Sequence, residues 1–154
     1  MKTIIFRMYL ITAAWAILVA VIHVVIIEEH SVEPIVLSTA LTLGVAVIVF
    51  LSGRTAKIQG GSSWRVGAVA GGIYGLLSGW PVLLIHVTRA QLVAELHGRS
   101  LTPSEISLSL HMANSPIIHL LAWLSSVVIG LVLGLIVGAL GGVTAKRPGS
   151  TLDI

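Results

Sequence analysis

The sequence predicts an all-α membrane protein, a bundle of four transmembrane helices, and three observations predict it. Only 10% of the 154 residues are charged while 56% are hydrophobic, and the mean hydropathy is +1.03. A water-soluble domain of that composition lacks the charge to cover its surface. Four apolar stretches, about residues 8–27, 35–51, 66–87 and 117–143, match the roughly 17–25 residues that cross a bilayer as a helix. Basic residues are sorted between alternate connections: Lys2, Arg7, Arg54, Lys57, Arg65, Lys146 and Arg147 on one side, Arg89 and Arg99 on the other. That asymmetry places both termini in the cytoplasm, most simply at the plasma membrane. It also accounts for the net charge of +3 and pI near 9.8 without a nucleic-acid-binding patch, and no nucleic-acid partner is expected.

The first span follows Lys2 and Arg7. Its apolar run is longer than the core of a signal peptide, and no small-x-small cleavage site follows the run before Glu28-Glu29, so it reads as a retained helix. Thr12, Ala16 and Ala20 form a small-residue ridge along it, and Ala40 with Gly44 a shorter one on the second span. An acidic outer loop, Glu28-Glu29-His30-Ser31-Val32-Glu33, joins the two.

The third span carries Gly67, Gly71, Gly75 and Gly79, and the fourth carries Gly130, Gly134, Gly138 and Gly142, both in steps of four. In lipid, helices gain little by burying apolar surface on each other, and small residues in such a row let backbones approach. The two rows form a glycine zipper that packs the third and fourth spans together, with a homo-oligomer contact as the other use of either row. Gly72 and Gly141 lie beside the rows and widen the contact. Trp80-Pro81 interrupts the third span, where a proline withdraws a hydrogen bond from the carbonyl of Leu77 and bends the helix. The span is nevertheless expected to run to Val87 and, beyond the bilayer, from Thr88 toward His97, with Gly98 as its stop.

The outer loop between these spans contains Leu101-Thr102-Pro103-Ser104-Glu105-Ile106. Thr102 as N-cap, Pro103 in the first turn and Glu105 closing a capping box predict a short helix over 103–113. Its apolar residues suit it to lie on the membrane or on the bundle. Asn114-Ser115-Pro116 ends it and starts the fourth span.

A pattern L-x-G-x-T-A-K-x-x-G recurs at 51–60 and 140–149, where the second and fourth spans leave the membrane. With Ile22-His23-Val24 echoed by Ile85-His86-Val87, it reads as two duplicated helical hairpins of one orientation. The whole chain, 1–154, is then a single membrane domain.

Chemistry is confined to the outer face. All six histidines, His23, His30, His86, His97, His111 and His119, fall in or beyond the outer third of the bilayer under this topology. Three sit in different spans, and ionisable residues in spans face the bundle or a wet cavity. Helical phase returns His86 to within about 20° of Gly79, and His119 to within about 20° of Gly130. Both therefore face the shared seam, with His23 able to join from the first helix. Such a histidine cluster can bind haem b or a transition metal through His86, His119 and His23, with Glu28 and Glu29 as further metal ligands. The bland alternative is interfacial histidines bonding headgroups and water.

Catalysis is not expected of the chain alone. There is no cysteine, no Gly-x-Ser-x-Gly, and no P-loop, so nucleophilic and phosphate-loop chemistries lack their parts. Three functions remain: a subunit or anchor of a larger membrane complex, a haem- or metal-binding electron-transfer module, and a small-ion transporter or channel. Expected partners are lipid, other membrane subunits or further copies of the chain.

Overall fold

In a computed structural model, residues 2–29, 35–95 and 102–145 are described. They form α1 (Lys2–Glu29), α2 (Ile35–Ile58), α3 (Ser63–Gly79), a 3₁₀ turn (Trp80–Leu83), α4 (Arg89–Glu95), α5 (Pro103–Ala113) and α6 (Pro116–Val143), with no strand among them. Four segments are long and apolar enough to cross a membrane: 3–25 in α1, 36–58 in α2, 63–83 covering α3 with its turn, and α6. The protein is an all-α membrane bundle.

Helices α3 and α6 share the largest contact, α2 packs on both, and α1 packs on α3 and α2 but not along α6. The central pair is therefore α2 and α3, flanked by α1 on one side and α6 on the other. Side chains fully buried in this arrangement are small. They include Thr12, Ala16, Val19 and Ala20 on α1, Ser52 and Ala56 on α2, and Ala70 on α3. The buried hydroxyls are satisfied within their own helices, Thr12 donating to the Met8 carbonyl at 2.9 Å and Ser52 to that of Ile48 at 2.7 Å, so they cost no unpaired polar group.

The glycines of α3 and α6 meet in an antiparallel ladder. A methyl group at Gly67 would collide with the backbone of Gly134 and Gly138, one at Gly71 with Gly130 and Gly134, and one at Gly75 with Ser126 and Val127. Gly142 stands against Ser63, and Gly79 against Ser126. Both rows are thus occupied within one chain. Gly138 also abuts Gly53, and Gly141 abuts Phe50, which brings α2 to the same seam. Gly72 faces the Leu131 side chain.

Two tryptophans cross between helices in the same manner. Trp15 donates its indole N–H to the Leu41 carbonyl at 3.3 Å, and its ring fills the space that a side chain at Gly44 would need. Trp123 donates to the Leu76 carbonyl at 3.1 Å, its ring lying near Gly79.

At the terminal end of the bundle, α2 stops in a Schellman turn. Gly60 adopts φ 77°, its N–H donating to the Lys57 carbonyl at 3.0 Å while Gly61 N–H reaches that of Ala56 at 2.8 Å. The left-handed conformation suits glycine. The first copy of the repeated pattern is helical as far as Ile58, whereas the second leaves α6 at Thr144, so the two copies differ in local structure.

The third span also departs from expectation, its α-helix ending at Gly79 and not at Val87. Pro81 has no N–H to return to Leu77, and one 3₁₀ turn follows, closed by Leu84 N–H on the Pro81 carbonyl at 2.9 Å. Residues 85–88 have no regular secondary structure, so α4 is a separate helix and not an extension of α3. Thr88 starts it through a capping box, its hydroxyl accepting from Gln91 N–H at 3.3 Å while Thr88 N–H donates to Gln91 Oε1 at 2.9 Å. His97 and Gly98 lie outside the described residues.

Helix α5 has the expected bounds and its full capping box. Thr102 N–H donates to Glu105 Oε2 at 2.7 Å and Glu105 N–H to Thr102 Oγ1 at 3.4 Å. The backbone bond from Thr102, then its hydroxyl, holds the Glu105 carboxyl below its ordinary range. A lowered carboxylate pKa contributes stability that is complete above the unfolded value and lost as pH falls through the folded one. Acidification below about pH 4 is therefore expected to reduce the hydrogen-exchange protection factor of the Thr102 amide. Glu105→Gln should keep the amide protected and remove the pH dependence; a Thr102 amide equally protected at pH 3 and pH 6 in the parent chain would contradict this.

Candidate functional site

The broken end of α3 creates the site. With α3 stopped at Gly79, the first turns of α6 have no helical partner, and the 3₁₀ turn with the segment after it forms the facing wall. Between them lies a cleft of about 310 Å³ lined by Leu83, Leu84, Ile85, His86, Asn114, Pro116 and His119. His86 is exposed and His119 half-buried.

Its walls are fixed by hydrogen bonds to backbone. Asn114 accepts from Val87 N–H through Oδ1 at 2.7 Å and donates from Nδ2 to the Val87 carbonyl at 2.9 Å. The side-chain amide thereby satisfies both backbone groups of a residue that has left its helix. Backbone N–H of Asn114 in turn donates to the Leu110 carbonyl at 3.0 Å, so one residue ends α5 and ties the irregular segment to it. Lower down, Ser126 Oγ lies 2.9 Å from the Gly75 carbonyl and 2.7 Å from that of Trp123, sharing one proton between them. With Trp123 on Leu76, α6 supplies donors to two carbonyls in the last turn of α3.

His119 Nε2 lies 2.7 Å from the Ala113 carbonyl. A carbonyl only accepts, so this nitrogen carries a proton. In neutral His119 the lone pair is then on Nδ1. A ring held by a backbone carbonyl through one nitrogen while the other keeps its lone pair is the arrangement found in metal-bound histidines.

Of the sequence candidates, the structure brings His86 and His119 to one cleft. The route differs from the phase argument, because helical phase cannot be extended from Gly79 to His86 across a break. His23 lies half-buried on α1 and is not among the residues lining the cleft. Glu28 and Glu29 end α1, and their side chains lie outside the described residues, as do His30 and Glu33. Among the described residues no three histidine or acidic side chains converge as metal ligands would. His111 is exposed on α5.

Asn114 carries no sequence signal of this role beyond being an asparagine at a helix end. The Thr88–Gln91 box does carry its signature, Thr-x-x-Gln. Compared with known proteins, the chain matches no family model, no curated protein and no solved structure, so its function is argued from its own residues.

Replacing Asn114 with Ala leaves both backbone groups of Val87 without this partner. Partly buried groups in that condition cost about 1–3 kcal/mol. The Val87 amide should lose protection from hydrogen exchange by that amount while α3 amides before Gly75 hold theirs; unchanged exchange at Val87 would refute the latch.

Proposed function

We propose that this protein is a small non-catalytic subunit or anchor of a larger membrane complex, whose working surface is the cleft of His86, Asn114 and His119. The observation that carries the reading is the distribution of polar chemistry. The seam between α3 and α6 is closed backbone to backbone by glycine, while two imidazoles and a carboxamide gather where α3 stops. Such a bundle is suited to holding a position in the bilayer and presenting one end. Exposed Arg7, Arg54, Lys57 and Arg65 gather at the end where α1 starts and α6 stops, which supports a cytoplasmic placement of that end and an outward-facing cleft, in the plasma membrane.

A second reading is favoured by His119. Its Nδ1 lone pair, in a cleft that His86 also lines, fits a haem b or transition-metal site in an electron-transfer module, with His23 as a candidate outside the cleft. A small-ion transporter is supported less, since the glycine seam leaves no room for a path between α3 and α6.

Purification of the tagged chain from its native membranes in mild detergent, with optical and metal analysis, tests these together. The subunit reading expects a stoichiometric membrane partner that is lost on His86→Leu with His119→Leu. The cofactor reading expects a Soret band or bound metal lost in the same variant. A chain recovered alone, without chromophore or metal, and conducting ions in liposomes would overturn both.

A further inference from the structure

Helix α5 has no buried residue, and it packs on α4 but along none of the spanning helices. Its C-terminal end is nevertheless pinned at the start of α6. His119 reaches the Ala113 carbonyl six residues back, although six residues of straight helix would separate them by about 9 Å along the axis. Ser115 is extended, with φ −70° and ψ 124°, so the chain turns there and α5 leaves the axis of α6 where that span begins.

Apolar residues on α5 fall on two faces. Ile106, Leu110 and Ala113 are half-buried, whereas Leu108 and Met112, one turn apart, are 61% and 52% exposed. Leu84 and Ile117, at the same corner, are 68% and 70% exposed. Water is a poor neighbour for such a group, and the bundle does not cover it. A helix tied to the first turn of a membrane span has the bilayer itself as its nearest apolar medium.

We infer that α5 is an interfacial helix, held at the membrane surface by the Asn114 and His119 hydrogen bonds and inserting Leu108 and Met112 among the lipid headgroups and upper acyl chains. The occupant of this face is lipid. Ser107, about 100° from Leu108 and about 140° from Met112 around the axis, stays in water.

The chain has no cysteine, so single nitroxide labels can be placed without background. Leu108→Cys, Met112→Cys and Ser107→Cys variants of the full chain, labelled and reconstituted in phosphatidylcholine–phosphatidylglycerol liposomes, are compared for collision with oxygen and with a water-soluble nickel chelate. The expected result is a severalfold higher oxygen-to-nickel accessibility ratio at 108 and 112 than at 107. Ratios equally low at all three positions would place α5 in water and overturn the inference. Labels at 108 and 112 shielded from both reagents and immobilised would also overturn it, assigning the face to a protein contact. An unfolding midpoint unchanged from the parent in each labelled variant controls for the fold.

Discussion

Direct backbone contact between α3 and α6 is the constraint from which the remaining architecture follows. In hydrocarbon there is no water to drive apolar side chains together, so association rests on close packing, and glycine allows the closest. The ladder from Ser63 and Gly142 to Gly79 and Ser126 fixes the register of the two helices along its whole length. Because Gly138 touches Gly53 as well as Gly67, the same contact sets the position of α2. Helix α1 then packs on α2 and α3 through residues no larger than valine in its buried core, Thr12, Ala16, Val19 and Ala20.

The contact also explains where the cleft lies. Helix α6 has 28 residues and α3 only 17, or roughly 42 Å against roughly 25 Å at 1.5 Å per residue. Gly75 and Gly79 both meet Ser126 in place of a glycine, and α3 ends at Gly79, two residues before Pro81. What remains of the third crossing is an irregular wall whose backbone must find partners from side chains. Trp123 and Ser126 provide them for the last turn of α3, and Asn114 provides them for Val87. The two histidines line the cleft because α6 outlasts its partner.

Features carried by local rules were legible in the sequence. Four spans follow from hydropathy and length, the glycine rows from their period, and α5 from Thr102, Pro103 and Glu105. The break in α3 was only half legible: Pro81 announced a disturbance, but whether a proline bends a helix or ends it depends on the packing around it, and the residues that hold this end of α3, Trp123 and Ser126, are about fifty residues away on α6. Pairing of Asn114 with Val87 is non-local in the same sense. His86 lines the cleft with His119 without the continuous helix from Gly79 that helical phase requires.

The account stands on glycine being needed for its size at the seam and not for flexibility. Thermal or denaturant unfolding of Gly71→Leu in nanodiscs, beside Val132→Leu on the exposed face of α6, tests this most directly. Overpacking of this kind costs about 1–3 kcal/mol or more, and Gly71→Leu is predicted at or above the upper figure with α3 and α6 driven apart. Val132→Leu should stay within about 0.5 kcal/mol of the parent. Equal stability of the two variants would contradict the account.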